Sequence, residues 1–325
     1  MTTSTHILSS EQYSSHLRPV DTQRDLRAVA DVIETCFRDS LDPDGQEYIK
    51  HLRDAARFSF LSSWATTLAE DEAILPLSGY VWVEDDQVVG NLSLIPFQSM
   101  GKRCYLIANV AVLPAFRGKG IATQLTRRAL EHVQEHHGTA AWLQVRDDNP
   151  TAIHIYERLG FQERARRTSW INALPISNAS ANGYPIHKRL PAYWAQQRAW
   201  LQRMYPAEFS WHLPVNWRAI QPGWKGELYR FFNLNYPKHW AVTRTGELCG
   251  ILTWMSQAGH ADYLLLAAPE EPNPEAIQAL LVQARKSLAA RRRLSLNLPA
   301  GFMVEAIQAA GFTKQQTLIW MEIKF

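Results

Sequence analysis

Cysteine is scarce in this chain: Cys36, Cys104 and Cys249 are the three among 325 residues. Three thiols cannot close a disulfide framework, and none stands in a CxxC pair. That excludes a disulfide scaffold and fits buried or free thiols in a reducing compartment. Long apolar runs are also missing. No stretch approaches the roughly 18 residues a membrane helix needs, so no membrane partner is expected. The first fifteen residues, MTTSTHILSSEQYSS, are polar and lack the apolar region of a secretory signal. They read as a frayed tail, and a cytoplasmic protein is expected. Charge of one sign is lacking too. The net charge of +3 and a pI of about 8.7 are too small an excess to argue for nucleic acid. Two short basic clusters, Arg166-Arg167 and Arg291-Arg292-Arg293, read as solvated surface or helix ends.

What is present is ordinary for a soluble globular protein, with 46% hydrophobic and 20% charged residues. The length suggests two domains. From His16 the chain reads as a short strand, then a helix capped near Asp21 or Thr22 with Leu26, Val29, Val32 and Ile33 as its apolar stripe. A second helical region covers Gln46 to Phe58. GYVWVEDDQVVGNLSLIPF reads as a hairpin turning at Glu84 to Gln87. RCYLIANVAVLP reads as a long buried strand. Gly120 to His137 is an amphipathic helix with Ile121, Leu125, Ala129 and Val133 on one face, closed by Gly138. AAWLQV is a further buried strand. Asn149 to Leu159 is a helix with strong end signals: Asn149 as N-cap, Pro150 at the first position, Gly160 in the left-handed C′ position. FQERARRTSWI returns as a strand.

Then the composition shifts. NALPISNASANGYP, Asn172 to Pro185, reads as a linker, and a Trp-rich helical segment follows from Pro191 to Tyr205. Trp194, Trp200, Trp211, Trp217 and Trp224 are expected to fill an inter-domain core, or else to form an aromatic wall of a binding site. After them the first pattern comes back. WAVTRTGELCGILTW has the hairpin layout of VWVEDDQVVGNLSL, with Gly250 where Gly90 stood. DYLLLAA, EAIQALLVQARKSLA, LSLNL, EAIQAAGF and QTLIWMEI then follow in the same order as their counterparts. Six elements in one order indicate an internal duplication. The expected organisation is a tail over 1–15, one α/β domain over 16–172, and a linker with a second copy over 173–325.

The stretch VAVLPAFRGKGIATQL carries the chemistry. A buried strand feeds a tight loop, and a helix opens at about Gly120. The first helical turn offers unpaired N–H groups and the positive end of a dipole. Glycines at 118 and 120 let an anion approach the backbone, and Arg117 and Lys119 add positive charge. The pattern is that of a pyrophosphate site, and no Gly-Lys-Ser/Thr ends it as in a Walker loop.

Arg117-Gly118-Lys119-Gly120-Ile121-Ala122 resembles the Arg/Gln-x-x-Gly-x-Gly/Ala loop of the GNAT family of N-acetyltransferases. NPTAIHIYERLGF is similar to that family's second signature. The resemblance covers Leu17 to about Ile171, and more weakly the second copy. It implies an α/β (α+β) fold of two tandem GNAT domains, each a mixed, mostly antiparallel sheet flanked by helices. It implies that the pyrophosphate of acetyl-CoA, the acyl-donor substrate, lies on the backbone of Gly118, Gly120, Ile121 and Ala122, beside Arg117 and Lys119. It implies that the pantetheine arm pairs with the strand edge at Val110, Ala111 and Val112, that Asn149 contacts the pantetheine, and that Tyr156 faces the cofactor and donates a proton to the departing thiolate. Relatives often place a Glu on the central strand as general base. This chain has Ala108 and Asn109 there, so no base is assigned, and no metal is expected.

Aligned on its hairpin Gly and its Gly-Phe, the second copy sets Pro272-Asn273-Pro274-Glu275-Ala276-Ile277 against the loop, Ala300 against Asn149 and Ile307 against Tyr156. Every chemical position is lost while core positions are kept, so the second copy is read as degenerate. The expected activity is direct transfer of an acetyl group to a primary amine in a ternary complex. The alternative is an acyl-CoA binding or sensing protein without turnover. The sequence leaves open propionyl- or succinyl-CoA as donor, and a small amine, an amino acid, an aminoglycoside-like compound or a peptide N-terminus as acceptor. A monomer with pseudo-dimeric tandem domains is expected.

Overall fold

The structure, a computed structural model, describes residues 16–41, 43–58, 78–172, 183–209, 211–213, 215–233, 236–257, 259–288 and 292–325. The tail over 1–15 and the heart of the expected linker, 173–182, lie outside the described residues. The described residues up to Arg164, together with Trp320–Phe325, form one compact unit, and Ala165–Ile319 form a second. No helix among the described residues is long and apolar enough to cross a membrane.

In the first unit β1 (Leu17–Pro19), β2 (Gly79–Glu84), β3 (Gln87–Ser99) and β4 (Lys102–Val112) pair antiparallel in that order. β5 (Ala140–Arg146) runs parallel to β4. Helices α1 (Leu26–Phe37), α2 (Pro43–Phe58), α3 (Ile121–Glu135) and α4 (Pro150–Arg158) connect or cover these strands. The β2–β3 turn sits where it is expected. Asp85 and Asp86 both take positive φ, 47° and 61°, the handedness that matches the twist of two-residue hairpins.

α3 buries the predicted face: Ile121, Leu125, Ala129 and Val133 are at most 2% exposed. Gly90 on β3 makes room for it. A Cβ there would stand 3.1 Å from Ile121 and 3.3 Å from Leu125. The end of α3 differs from expectation. His137, not Gly138, takes the left-handed conformation, with φ 54°. Gly138 is needed for space, since a Cβ would meet the Val133 side chain at 2.5 Å. The start of α1 differs as well. The helix begins at Leu26 with Asp25 as N-cap, because the Asp25 carboxylate is engaged by Arg18 and by the Asp21 N–H instead of capping the helix.

In the second unit β8 (Lys238–Arg244), β9 (Glu247–Met255) and β10 (Ala261–Ala267) pair antiparallel, and β11 (Arg293–Pro299) runs parallel to β10. The edge strand β7 (Ile186–Lys188) pairs with β8. Helices α5 (Trp194–Met204), α6 (Trp217–Ile220) and α7 (Trp224–Asn233) precede the hairpin. α8 (Pro274–Ser287) and α9 (Val304–Ala309) follow it. The hairpin turn Thr245-Gly246 again has two positive φ values, 48° and 86°. Gly250 faces Ile277 and Leu280 of α8 at 3.0 and 3.2 Å from a built Cβ, as Gly90 faces α3.

The division between units falls inside β6 (Gln162–Asn172) and inside β12 (Phe312–Lys324), whereas composition suggests a boundary at 172. The reason is pairing: Arg167–Ile171 run antiparallel to Ser295–Pro299 of β11. Arg166 is exposed, as expected, but the reading of Arg167 as solvated surface is overturned. Arg167 is 3% exposed and donates to Asn297 Oδ1, the Asn297 carbonyl and the Met204 carbonyl at 2.6, 2.7 and 3.0 Å. Burial pulls its guanidinium down to about 10. The expectation of a filled tryptophan core fails for Trp224, which is 70% exposed.

Candidate active site

The site is made where β4 stops pairing. Its register with β5 covers only Cys104–Ile107 against Ala140–Leu143. β4 continues to Val112, so its last five residues have no strand partner on that side among the described residues. A bulge marks the point of departure. Along β3, Asn91 pairs with Ala111 and Ser93 with Ala108, so Asn109 and Val110 together oppose Leu92. Asn109 takes φ 52°. Bulges bend a strand and raise its twist.

Asn109 is held in that conformation by side chains. Its Nδ2 donates to the Tyr48 hydroxyl at 3.0 Å and to Ser93 Oγ at 3.3 Å, and its carbonyl accepts from Asn91 Nδ2 at 3.1 Å. Burial pushes the Tyr48 phenol up to about 12. The position where a general base was sought therefore carries a structural amide.

A cavity of about 730 Å³ opens beside this free edge. Val110, Ala111 and Val112 form one wall, and Arg117, Gly118, Gly120, Ile121 and Ala122 another. Asn149, Ala152 and Ile155 of α4 close a third side. Gly118 and Gly120 have φ 78° and 79°. A Cβ at either would meet no atom within 4 Å, so the loop needs glycine for its left-handed turns. Gly120 is the N-cap of α3 and supplies no side-chain cap. The first N–H groups of α3 thus lack the usual hydroxyl or carboxylate partner, which suits an anion. Arg117 Nε donates to the Val112 carbonyl at 3.0 Å, which ties the loop to the strand end.

Two expected residues lie elsewhere. Lys119 is exposed, with its ammonium 5.0 Å from the centre of the Phe116 ring, and is not on the cavity wall. Tyr156 is 7% exposed and packs edge-on against Phe161 at 5.9 Å. Burial pushes its phenol far above the ordinary range. Asn149 and Ile155 line the cavity while Tyr156 faces inward. Seven residues are nearly two helical turns, so spacing alone would set the two side chains on one face; Asn149 stands outside the helix as its N-cap, and Tyr156 is buried against Phe161.

Asn149 Oδ1 accepts from the Ala152 N–H at 3.1 Å, as its N-cap position predicts. Sequence reasoning missed the wall residues Cys36, Phe37 and Asp39 at the end of α1, and the ion pair of Arg146 with Asp148, 2.9 and 2.6 Å long. No motif flags them. Cys36 Sγ donates to the Val112 carbonyl at 3.2 Å, and burial pushes the thiol up against the opposing pull of Arg117.

Comparison with known proteins follows the same contour. Residues 45–161 match the profile of the Acetyltransferase (GNAT) family. Streptothricin acetyltransferase of Streptomyces lavendulae is 33% identical over 82 residues, 25% of this chain and 43% of that protein. The [ribosomal protein bS18]-alanine N-acetyltransferase of Salmonella typhimurium is 34% identical over 80 residues, 21% of this chain and 54% of that protein. This chain thus spans about half the length of the curated relatives it matches. Among solved structures, a GCN5-related N-acetyltransferase from Sphaerobacter thermophilus aligns over 95% of each chain at 16% identity and a TM-score of 0.54, a likeness of fold.

Proposed function

We propose, from the match of residues 45–161 to the Acetyltransferase (GNAT) family, that this protein is an N-acetyltransferase that moves an acetyl group from acetyl-CoA directly to a primary amine. The observation that carries this reading is the junction of an unpaired strand edge with an uncapped helix start. The glycine turns and the N–H groups of α3 suit the pyrophosphate of the donor. The free edge at Val110–Val112 suits the amides of the pantetheine arm, which can pair with it as a further strand would. A backbone N–H on that edge can also stabilise the oxyanion when the amine attacks the thioester carbonyl. The amine nitrogen forms the new C–N bond and gives up one proton to solvent water, the C–S bond breaks, and the thiolate takes up a proton. The first unit is the working copy, and the second is a degenerate copy without a donor site.

Tyr156 is the proposed proton donor. Its phenol is protonated at neutral pH, and a CoA thiolate is the base to receive the proton. Its burial behind the wall formed by Asn149 and Ile155 favours a second reading, in which the chain binds acyl-CoA without turning it over. The two part on turnover. Calorimetric titration of acetyl-CoA into the full chain should give one site per chain, and incubation with an amine library should release free thiol. Binding without thiol release selects the second reading. No binding removes both. The acceptor amine is proposed at the class level, a small molecule or a peptide N-terminus.

A further inference from the structure

The last turn of α3 carries a cluster that the acetyl-transfer reading does not use. His132, Glu135 and His136 place one nitrogen or oxygen each within 4.8 Å of one another. The spacing HVQEH explains this: i, i+3 and i+4 fall on one helix face. The two imidazoles stack, with centroids 3.9 Å apart and planes 16° from parallel.

Each ring is also oriented through Nδ1. His132 Nδ1 meets the Tyr80 hydroxyl at 3.0 Å, and His136 Nδ1 meets the His132 carbonyl at 2.9 Å. A hydrogen bond at Nδ1 fixes the ring and leaves Nε2 as the ligating nitrogen, the arrangement found behind most metal-bound histidines. His132 is further held edge-on by Tyr80 and Tyr105, at 5.9 and 5.8 Å. His136 and Glu135 are exposed and can close on an ion. Tetrahedral zinc holds its ligand atoms about 3.3 Å apart, so a small side-chain rotation suffices.

Glu135 is engaged by Arg128, at 3.0 and 3.1 Å. Arg128 also reaches Glu131 at 3.4 Å, so it has a second carboxylate to keep when Glu135 turns to an ion. We propose that His132, Glu135 and His136 form a binding site for one divalent zinc-like ion at the C-terminal turn of α3. Two imidazoles and a carboxylate select zinc, copper or nickel over magnesium or calcium. The role is to clamp the end of α3, since the glycine loop lies at the opposite end of that helix. The proposal is independent of the acetyltransferase reading.

The test is calorimetric titration of ZnCl2 into the untagged full chain in a non-chelating buffer. One ion per chain should bind, His136→Ala should weaken it at least about tenfold, and Glu135→Gln should weaken it less. Unchanged zinc affinity in His136→Ala would overturn the site. A side-chain NMR titration of the unaltered chain guards against a folding defect in the variants. Zinc should shift the His132 and His136 imidazole signals first, and shifts confined to other histidines would also overturn the proposal.

Discussion

Gly120 concentrates two demands in one residue. Its φ of 79° belongs to the left-handed region, where a side chain costs about 1–2 kcal/mol. Its position at the start of α3 leaves helix N–H groups open to an anion. The demands separate by substitution. A Cβ there meets nothing within 4 Å, so Gly120→Ala should lower the melting temperature by a few degrees and retain acetyl-CoA binding. Gly120→Glu places a carboxylate where phosphates would lie and should abolish binding in a calorimetric titration. Normal binding by Gly120→Glu would remove the site from this loop. Tyr156 poses the sharper question, because it is buried against Phe161 rather than exposed in the cavity. If it is the acid, Tyr156→Phe should slow thiol release about 100-fold or more while the affinity for acetyl-CoA stays near that of the unaltered chain. An unaltered rate would end the acid role.

Elements here are positioned by a few polar ties laid over apolar packing. β1 is joined to the start of α1 by Arg18 and Asp25, whose second hydrogen bond is 2.9 Å long. Burial alone would raise the Asp25 carboxyl. The Arg18 guanidinium and the Asp21 N–H outweigh it and hold the carboxyl below its ordinary 3.8. A carboxyl depressed in the folded state stabilises that state above the unfolded value, and the contribution fades as pH falls through the folded one. The melting-temperature advantage of the unaltered chain over Asp25→Asn should therefore be full at neutral pH and shrink progressively below about pH 4. An advantage independent of pH would assign the effect to packing. The same economy appears at β4. The bulge at Asn109, secured by Tyr48 and Ser93, is what turns a buried strand into an open edge.

For the whole molecule the decisive contrast lies between two helix starts, one in each unit. α3 begins at Gly120 with no side-chain cap. α8 begins at Asn273, whose Oδ1 already accepts from the Ala276 N–H at 2.9 Å, and Glu275 adds negative charge to its first turn. One helix start is open to an anion and the other is closed by its own sequence. The expected stoichiometry is therefore one acetyl-CoA per chain, read by calorimetry, and two would mean that the second unit also holds a donor. Both units share the hairpin, its positive-φ turn and the glycine that seats a helix on the sheet.

Much of this was legible in order along the chain, because it depends on local rules. Hairpin turns, the apolar face of α3, the Asn149 cap and the glycine loop are set by spacing and by backbone preferences of single residues. The wall residues Val110–Val112, Gly118, Gly120, Ile121 and Ala122 lie within these locally set elements. What needed the tertiary structure depends on packing, at times between residues far apart. Arg167 looks like surface charge until β11 brings Asn297 beside it. Gly138 looks like a helix cap until Val133 is seen filling the space of its missing Cβ. Cys36 and Arg146 join the cavity across more than a hundred residues, with no periodicity to announce them. Tyr156 shares a motif with Asn149, yet burial against Phe161, not spacing, decides which way it faces.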